Sequence, residues 1–266
     1  MAFVVHGGAG RARPHGEDLL RVLERASEIG YEHAMRGEVV EAVVEALYFI
    51  EESGLFNAGR GSVRNSMGYV EMDAGIMRGS DRAAGAVANL RSGSAIREAL
   101  RVLQEGKHVL ISRPIGSAAP GVESSDGETI GAVAVSVEGE VAAASSTGGI
   151  KGKSPGRIGD AAVPGAGFYA VSGTGGTALT GIGEQNMRCL TAYRIVMEMR
   201  AEDPLRSISK VFEEVKGEIG ELNQGAIAAD SRLRMAALTT EEMMPVCFRR
   251  SDVRRCGTDF REGILI

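Results

Sequence analysis

Asp126-Gly127-Glu128-Thr129-Ile130-Gly131-Ala132-Val133-Ala134-Val135 is the stretch on which the reading of this chain turns. A polar, glycine-containing segment stops at Thr129. A run of small and β-branched residues follows, which is the composition of a buried strand. A second such run, Glu140 to Ser146, comes straight after Glu138-Gly139 and ends in Ser145-Ser146-Thr147-Gly148-Gly149. The expectation is two strands, over 130–137 and 140–146. Joined as a hairpin, they put Thr129 and Thr147 at the same edge of a sheet.

Outward from this pair, Phe3 to Val5 reads as a short strand running into His6-Gly7-Gly8-Ala9-Gly10. Leu19, Val22, Leu23, Ala26, Ile29 and His33 recur at helical spacing and predict a helix over about Glu17 to Met35, ended by Gly37. Val39 to Glu52 is apolar on most sides and predicts a well-buried helix. Strands are expected over Tyr69–Met72 and Ala84–Leu90, and a helix over Ser94–Glu105 with Ser94 as its cap. Gly116 to Glu128 has the makeup of a linker. Beyond the hairpin, helices are expected over Gly183–Arg200 and Ile208–Ile219, and strands over 225–229, 234–239 and 245–249. Helices grouped between strand clusters indicate a layered α+β arrangement of helix-covered sheets rather than a regular βαβ series.

The bulk properties exclude several classes. The chain has 266 residues, 44% of them hydrophobic, enough for a substantial core. A formal net charge of −5 without a long basic run argues against nucleic acid as a partner. No apolar run is long enough to span a membrane, and Met1 to His6 lacks the basic start and long apolar stretch of a signal peptide. Cys189, Cys247 and Cys256 are widely spaced and form neither an obvious disulfide framework nor a CxxC metal pair. A reduced, cytoplasmic setting is the expectation.

A threonine hydroxyl is a weak nucleophile and needs a base. The four histidines are His6, His15, His33 and His108. His33 fits the apolar helix face and reads as core, and His15 lies in a polar loop. No serine stands in a G-x-S-x-G context, so a Ser-His-Asp arrangement is a poor fit. A chain-terminal threonine solves the problem with its own α-amine, whose reference pKa of about 7.7–8.0 is close to working pH. That amine exists only once the 128–129 peptide is broken. Phosphate-binding loops are not indicated: no G-x-x-x-x-G-K-[ST] occurs, and no G-x-G-x-x-G lies between strand and helix.

The ordered set of short motifs resembles the plant-type asparaginase and isoaspartyl-peptidase family of N-terminal-nucleophile hydrolases, which includes the glycosylasparaginases. The matches are His6 to Gly10 (HGGAG), Leu55 to Gly61 (LFNAGRG), Glu71 to Met77 (EMDAGIM) and Ala83 to Val87 (AAGAV). They continue with Thr129 to Ala134 (TIGAVA), Ser146 to Ile150 (STGGI), Gly156 to Asp160 (GRIGD) and Pro164 to Gly167 (PGAG). Each is weak alone; in this order, over most of the chain, they are specific.

The resemblance implies a four-layer αββα sandwich, cut by its own chemistry into 1–128 and 129–266 and assembled as a homodimer of αβ units. It implies Thr129 as the nucleophile freed by that cut and Thr147 as its hydrogen-bond partner. Arg157 and Asp160 are implied to hold a substrate's α-carboxylate and α-amine, which suits a guanidinium fork and an anionic carboxylate. Standing alone, Thr147 reads equally as a turn residue, and Arg157 with Asp160 as a surface ion pair. An oxyanion hole is implied at a Thr-Gly pair. Thr174-Gly175 and Thr180-Gly181 both qualify, and Thr180-Gly181-Ile182-Gly183-Glu184 fits the longer pattern. Gly149 and Gly183 are implied to approach the substrate closely, and Asn57 to support the site from its loop.

The resemblance also implies a structural sodium ion held by backbone carbonyls of Ile50, Glu51, Ser53, Phe56, Ala58 and Arg60, and no organic cofactor. The implied substrate is a small molecule, asparagine or a β-aspartyl peptide. A glycosylasparaginase-like hydrolase and an unprocessed glycine-rich binding protein are the alternatives. Two departures bear on the speed of self-processing: Glu128 stands where family members often have Gly or Asp, and the linker is short.

Overall fold

The computed structural model describes residues 1–11, 16–114 and 128–266. The expected linker, apart from Glu128, and His15 lie outside the described residues. From the N-terminus run β1 (Ala2–His6), α1 (Gly16–Ala34), α2 (Val39–Ser53), β2 (Met72–Arg78), β3 (Ala84–Leu90), α3 (Ala95–Glu105) and β4 (Leu110–Ser112). The hairpin follows as β5 (Ile130–Val135) and β6 (Val141–Thr147), then β7 (Phe168–Val171), β8 (Gly175–Gly181), α4 (Gly183–Cys189), α5 (Thr191–Glu198) and α6 (Pro204–Ile219). The chain closes with β9 (Gln224–Asp230), β10 (Met235–Thr239), β11 (Val246–Arg250), β12 (Val253–Gly257) and β13 (Ile264–Leu265).

These strands make two sheets. The larger has the order β12-β11-β1-β5-β6-β2-β3-β4, so the hairpin lies at its middle; the smaller has the order β13-β10-β9-β8-β7. β5 and β6 pair antiparallel, Ile130 opposite Ser146 and Val135 opposite Val141. Every residue of both strands is buried, which explains why their composition is near-continuously apolar or small. The period of two sorts them. Ile130, Ala132, Ala134, Ala142 and Ala144 share a core with α1, α2 and α3. Val133, Val135, Val141 and Ala143 meet Phe168, Ala178, Ile227 and Met235 of the smaller sheet. The smaller sheet turns Leu179, Ala226, Ala228 and Ala236 the other way, against Ile195 of α5 and Val211 and Phe212 of α6.

The expected order of elements holds over most of the described chain, and Ser94 caps α3 by accepting from Arg97 N at 3.3 Å. Several expectations are corrected. The strand expected over Tyr69–Met72 runs instead from Met72 to Arg78, because the interior polar residue Asp73 is buried and bonded rather than a break. The helix expected over Gly183–Arg200 is two helices, divided where Leu190 adopts the left-handed region at φ 49°. The second C-terminal helix starts at Pro204, earlier than expected, with Asp203 accepting from Arg206 N. The Gly/Thr-rich stretch before α4 is strand β8, and β4, β7, β12 and β13 carry no signal strong enough to be read. His33 is not core: its Nδ1 meets Glu38 Oε2 at 2.8 Å at the partly exposed end of α1. Cys247 and Cys256, opposite each other on β11 and β12, form a disulfide, contrary to the expectation from their spacing. Among the described residues no helix is long and apolar enough to cross a membrane.

α1 rests directly on β1 at Gly30. A Cβ there would fall 2.2 Å from Phe3 Cζ, in a ring that is fully buried. Gly30→Ala should therefore destabilise the protein. The substitution gains about 1 kcal/mol of helix propensity but forces repacking that costs roughly 1–3 kcal/mol. Thermal denaturation should show a Tm lowered by a few degrees; a raised Tm would mean that β1 and α1 are less closely packed than described.

Candidate active site

The hairpin register decides where the first functional groups meet. Thr129 precedes β5 and Thr147 ends β6, and with Ile130 opposite Ser146 the two threonines are neighbours. Thr129 Oγ1 donates to Thr147 Oγ1 at 3.2 Å, and Thr147 Oγ1 accepts from Gly149 N at 3.0 Å. Both residues are buried. They line a narrow cleft with Gly149, Ile150, Arg157, Asp160, Gly181 and Gly183. Sequence-expected residues that are far apart in the chain thus converge on one place.

The His6-Gly7-Gly8-Ala9-Gly10 turn closes over the residue before Thr129. His6 is fully buried and accepts from Gly8 N at Nδ1, 3.1 Å away, which leaves the proton on Nε2. Burial drives its pKa down to about 3, so the ring is neutral. Gly8 has φ +93°, and a Cβ on it would lie 2.2 Å from Glu128 Cβ; one on Gly10 would lie 2.7 Å from Glu128 Oε1. Glycine is required here by close approach. The sequence reading recorded this motif without giving it a task, since its partners are over a hundred residues away.

Arg157 and Asp160 stand on the loop after β6. Arg157 Nε and Nη2 bond Glu184 Oε1 and Oε2 at 2.9 and 2.8 Å, a partner that sequence reasoning missed. One edge of the guanidinium is thereby used, and Nη1 with the second Nη2 hydrogen remains. Asp160 is buried, and its Oδ2 accepts from Asn186 Nδ2 at 2.7 Å. Desolvation raises its pKa to about 6, against the opposing pull of Asn186 and Arg157. A Cβ on Gly183 would come within 2.7 Å of Asp160 Oδ1 and 3.2 Å of Arg157 Nη2. The missing side chain keeps open the space between the cation and the carboxylate.

Of the two Thr-Gly pairs, Thr180-Gly181 is the one that reaches the cleft, which Gly181 lines. Thr180 Oγ1 accepts from Ala9 N at 3.2 Å, and Gly181, at φ +117°, lines the cleft wall. Thr174-Gly175 lies at the other end of β8, in the turn from β7, where Thr174 N bonds Val171 O.

Asn57 ties its loop to the cleft: Nδ2 donates to Gly149 O at 2.6 Å and Oδ1 accepts from Val63 N at 2.9 Å. Beside it, Glu51 is fully buried and accepts from Ser94 Oγ, Ile96 N and Ser146 Oγ, which fastens α2 to α3 and to the end of β6. Desolvation raises its pKa. Of the expected sodium carbonyls, those of Ile50, Phe56 and Ala58 accept from Ser53 Oγ, Ala58 N and Gly61 N. Each oxygen retains a second lone pair. A Cβ on Gly61 would lie 2.1 Å from Phe56 O and 2.7 Å from Gly54 O, so carbonyls crowd the inside of this loop. Neutral oxygen donors of this kind fit a hard cation of low charge.

Known proteins resemble this chain over most of its length. Residues 1–120 and 113–257 match the sequence profile of the family described as Asparaginase. A plant-type L-asparaginase of Pyrobaculum calidifontis is 37% identical over 274 residues, covering 88% of this chain and 92% of the relative. An isoaspartyl peptidase/L-asparaginase of Xenopus laevis is 32% identical, covering 91% of this chain and 90% of the relative. An isoaspartyl peptidase of Escherichia coli is 34% identical, covering 74% and 76%.

Asp160 offers a direct test of the cleft's electrostatics. Carbon-13 NMR of its carboxyl should give a titration midpoint near 6, against about 3.9 for an ordinary Asp. Asn186→Leu, which removes the side-chain hydrogen bond that lowers this value, should move the midpoint higher still. The folded value lies above the unfolded one, so the folded state holds the extra proton. This group therefore withdraws stability as pH rises from about 4 to about 6. An ordinary midpoint would contradict the burial described.

Proposed function

The chain belongs to the asparaginase family, and from that membership we propose its reaction: hydrolysis of the side-chain amide of L-asparagine or of β-aspartyl dipeptides, by a threonine that self-cleavage makes chain-terminal. The observation that carries this reading is the 3.2 Å contact between Thr129 Oγ1 and Thr147 Oγ1 in a cleft shared with Arg157, Asp160 and Gly181.

In self-cleavage, Thr129 Oγ attacks the Glu128 carbonyl carbon and the C–N bond to Thr129 breaks, leaving an ester and a free α-amine. Water then hydrolyses the ester, giving chains 1–128 and 129–266. The turn from His6 to Gly10, packed on the Cα and side chain of Glu128, holds the residue whose carbonyl is attacked. In substrate hydrolysis the new α-amine takes the hydroxyl proton, and Thr147 orients the hydroxyl through their hydrogen bond. Thr129 Oγ adds to the β-carbonyl, and Thr180 Oγ1–H and Gly181 N–H stabilise the oxyanion. Ammonia or an amine leaves with the proton, a β-aspartyl ester remains on Thr129, and water releases aspartate.

Arg157 receives the α-carboxylate on the edge that Glu184 leaves open. Asp160, ionised above its pKa of about 6, receives the α-ammonium. Gly149 and Gly183 admit the substrate beside them. The carbonyls of Ile50, Glu51, Ser53, Phe56, Ala58 and Arg60 would hold sodium, which would brace the loop that carries Asn57. We read the stacking of helices and sheets as the four-layer αββα sandwich of N-terminal-nucleophile hydrolases, working as a homodimer of αβ units in the cytoplasm, where the Cys247–Cys256 bond departs from the reduced state expected.

Variants at Thr129 test the assignment. Thr129→Ala should remain one chain by intact mass and release no ammonia from L-asparagine, whereas Thr129→Ser should cleave and keep part of the activity. A Thr129→Ala protein that still cleaved and turned over would rule the mechanism out. In processed protein, Thr180→Ala should lower kcat by about 10²–10³, the usual effect of one lost oxyanion donor. Arg157→Lys, which keeps charge but loses the planar fork, should raise KM for L-asparagine; an unchanged KM would remove Arg157 from the clamp.

A further inference from the structure

The clamp stands on a buried charged group that the reaction itself does not use. Asp73, on β2 opposite Thr147, is fully buried. Its Oδ2 accepts from Gly159 N at 2.9 Å and its Oδ1 from Asn89 N at 3.0 Å. Lys153 lies beside it with Nζ 4.0 Å from Asp73 Oδ2 and a side chain only 2% exposed. That ammonium donates to Glu71 O at 2.6 Å. Glu71 in turn accepts from Gly156 N at 2.9 Å. The backbone N–H groups on either side of Arg157, those of Gly156 and Gly159, are thus both held from beneath by carboxylates of one strand segment. The guanidinium lies over the same point: a Cβ on Gly159 would fall 2.8 Å from Arg157 Nη1 and 3.7 Å from Asp73 Oδ2.

We propose that Asp73 is a positioning residue for Arg157, acting through the Gly159 N–H and through its charge, with Lys153 as its counter-charge. The proposal rests on the reading of Arg157 as the holder of the substrate α-carboxylate. Asp73 and Lys153 do not line the cleft; Lys153 stands behind Gly149, where a Cβ would lie 2.7 Å from its Nζ. A neutral acceptor could serve the Gly159 N–H; the charge adds an attraction that fixes the Arg157 fork end-on to the cleft while Glu184 holds its other edge. Burial disfavours a charge on Asp73, and Lys153, the two N–H donors and Arg157 oppose that effect. Burial likewise disfavours the charge on Lys153, which Asp73 opposes. Burial thus raises the Asp73 pKa and lowers that of Lys153, and each is the largest opposing influence on the other.

The test compares wild type, Asp73→Asn, Lys153→Met and the double variant, each checked for processing by intact mass. A clamp held out of place binds ground state and transition state equally less well, so KM rises and kcat stays. Asp73→Asn should cleave, keep kcat within a few-fold, and raise KM for L-asparagine by roughly tenfold to a hundredfold, the loss expected of a charged hydrogen bond. Lys153→Met should shift KM the same way, and the double variant should be no worse than Asp73→Asn alone, because the two charges act as one unit. A wild-type KM in Asp73→Asn, a fall confined to kcat, or independent effects that multiply in the double variant would overturn the proposal. Should Asp73→Asn fail to fold, Lys153→Met decides by the same split between KM and kcat. A wild type inactive on both L-asparagine and β-aspartyl dipeptides would instead remove the underlying reading of the reaction.

Discussion

The contact between two threonine hydroxyls depends on a sheet register. Thr129 and Thr147 meet because β5 and β6 pair antiparallel with Ile130 opposite Ser146. A slip of one residue would turn every side chain of a strand to the other face, sending Ile130, Ala132 and Ala134 away from α1 and α2. The burial of both faces therefore fixes the position of Thr129, the proposed nucleophile. Small residues make this possible: Ala132, Ala134, Ala142, Ala143 and Ala144 let helices and a second sheet press on the hairpin from both sides.

The remaining site is assembled around that fixed point from segments with different demands. The proposed clamp needs open space between a cation and a carboxylate, and Gly183 provides it. The turn after β1 packs against Glu128, and the glycines at positions 8 and 10 allow that approach. Charges that line the cleft are never alone: Arg157 meets Glu184 and Asp160 meets Asn186. A pre-paired site avoids rearrangement when a zwitterionic substrate arrives, and this is the economy of electrostatic preorganisation.

Much of this was legible in the sequence where a local signal carried it. The hairpin was readable from a run of small and β-branched residues on either side of Glu138-Gly139, and the α3 start from Ser94. The residues at Thr129, Thr147, Arg157, Asp160, Gly181 and Gly183 were named from motif order, and the fold gathers them. What escaped was non-local or locally contradictory. β8 is rich in glycine, which is poor in strands, and holds its place by pairing with β9. Asp73 looks like a strand break until its partners Asn89 and Gly159 are known, one of them 86 residues away. Leu190 adopts a left-handed conformation that its type does not announce. The Cys247–Cys256 bond follows from the β11–β12 register, which spacing alone does not reveal.

The account's central claim is that Thr129, freed at its amine, carries the acyl group. Active protein should be quenched in acid during turnover of L-asparagine, digested with trypsin and mapped by mass spectrometry. The account predicts a peptide that begins at Thr129 and bears a β-aspartyl ester on that residue. An active protein with no chain starting at Thr129, or with the ester on another residue, would contradict it.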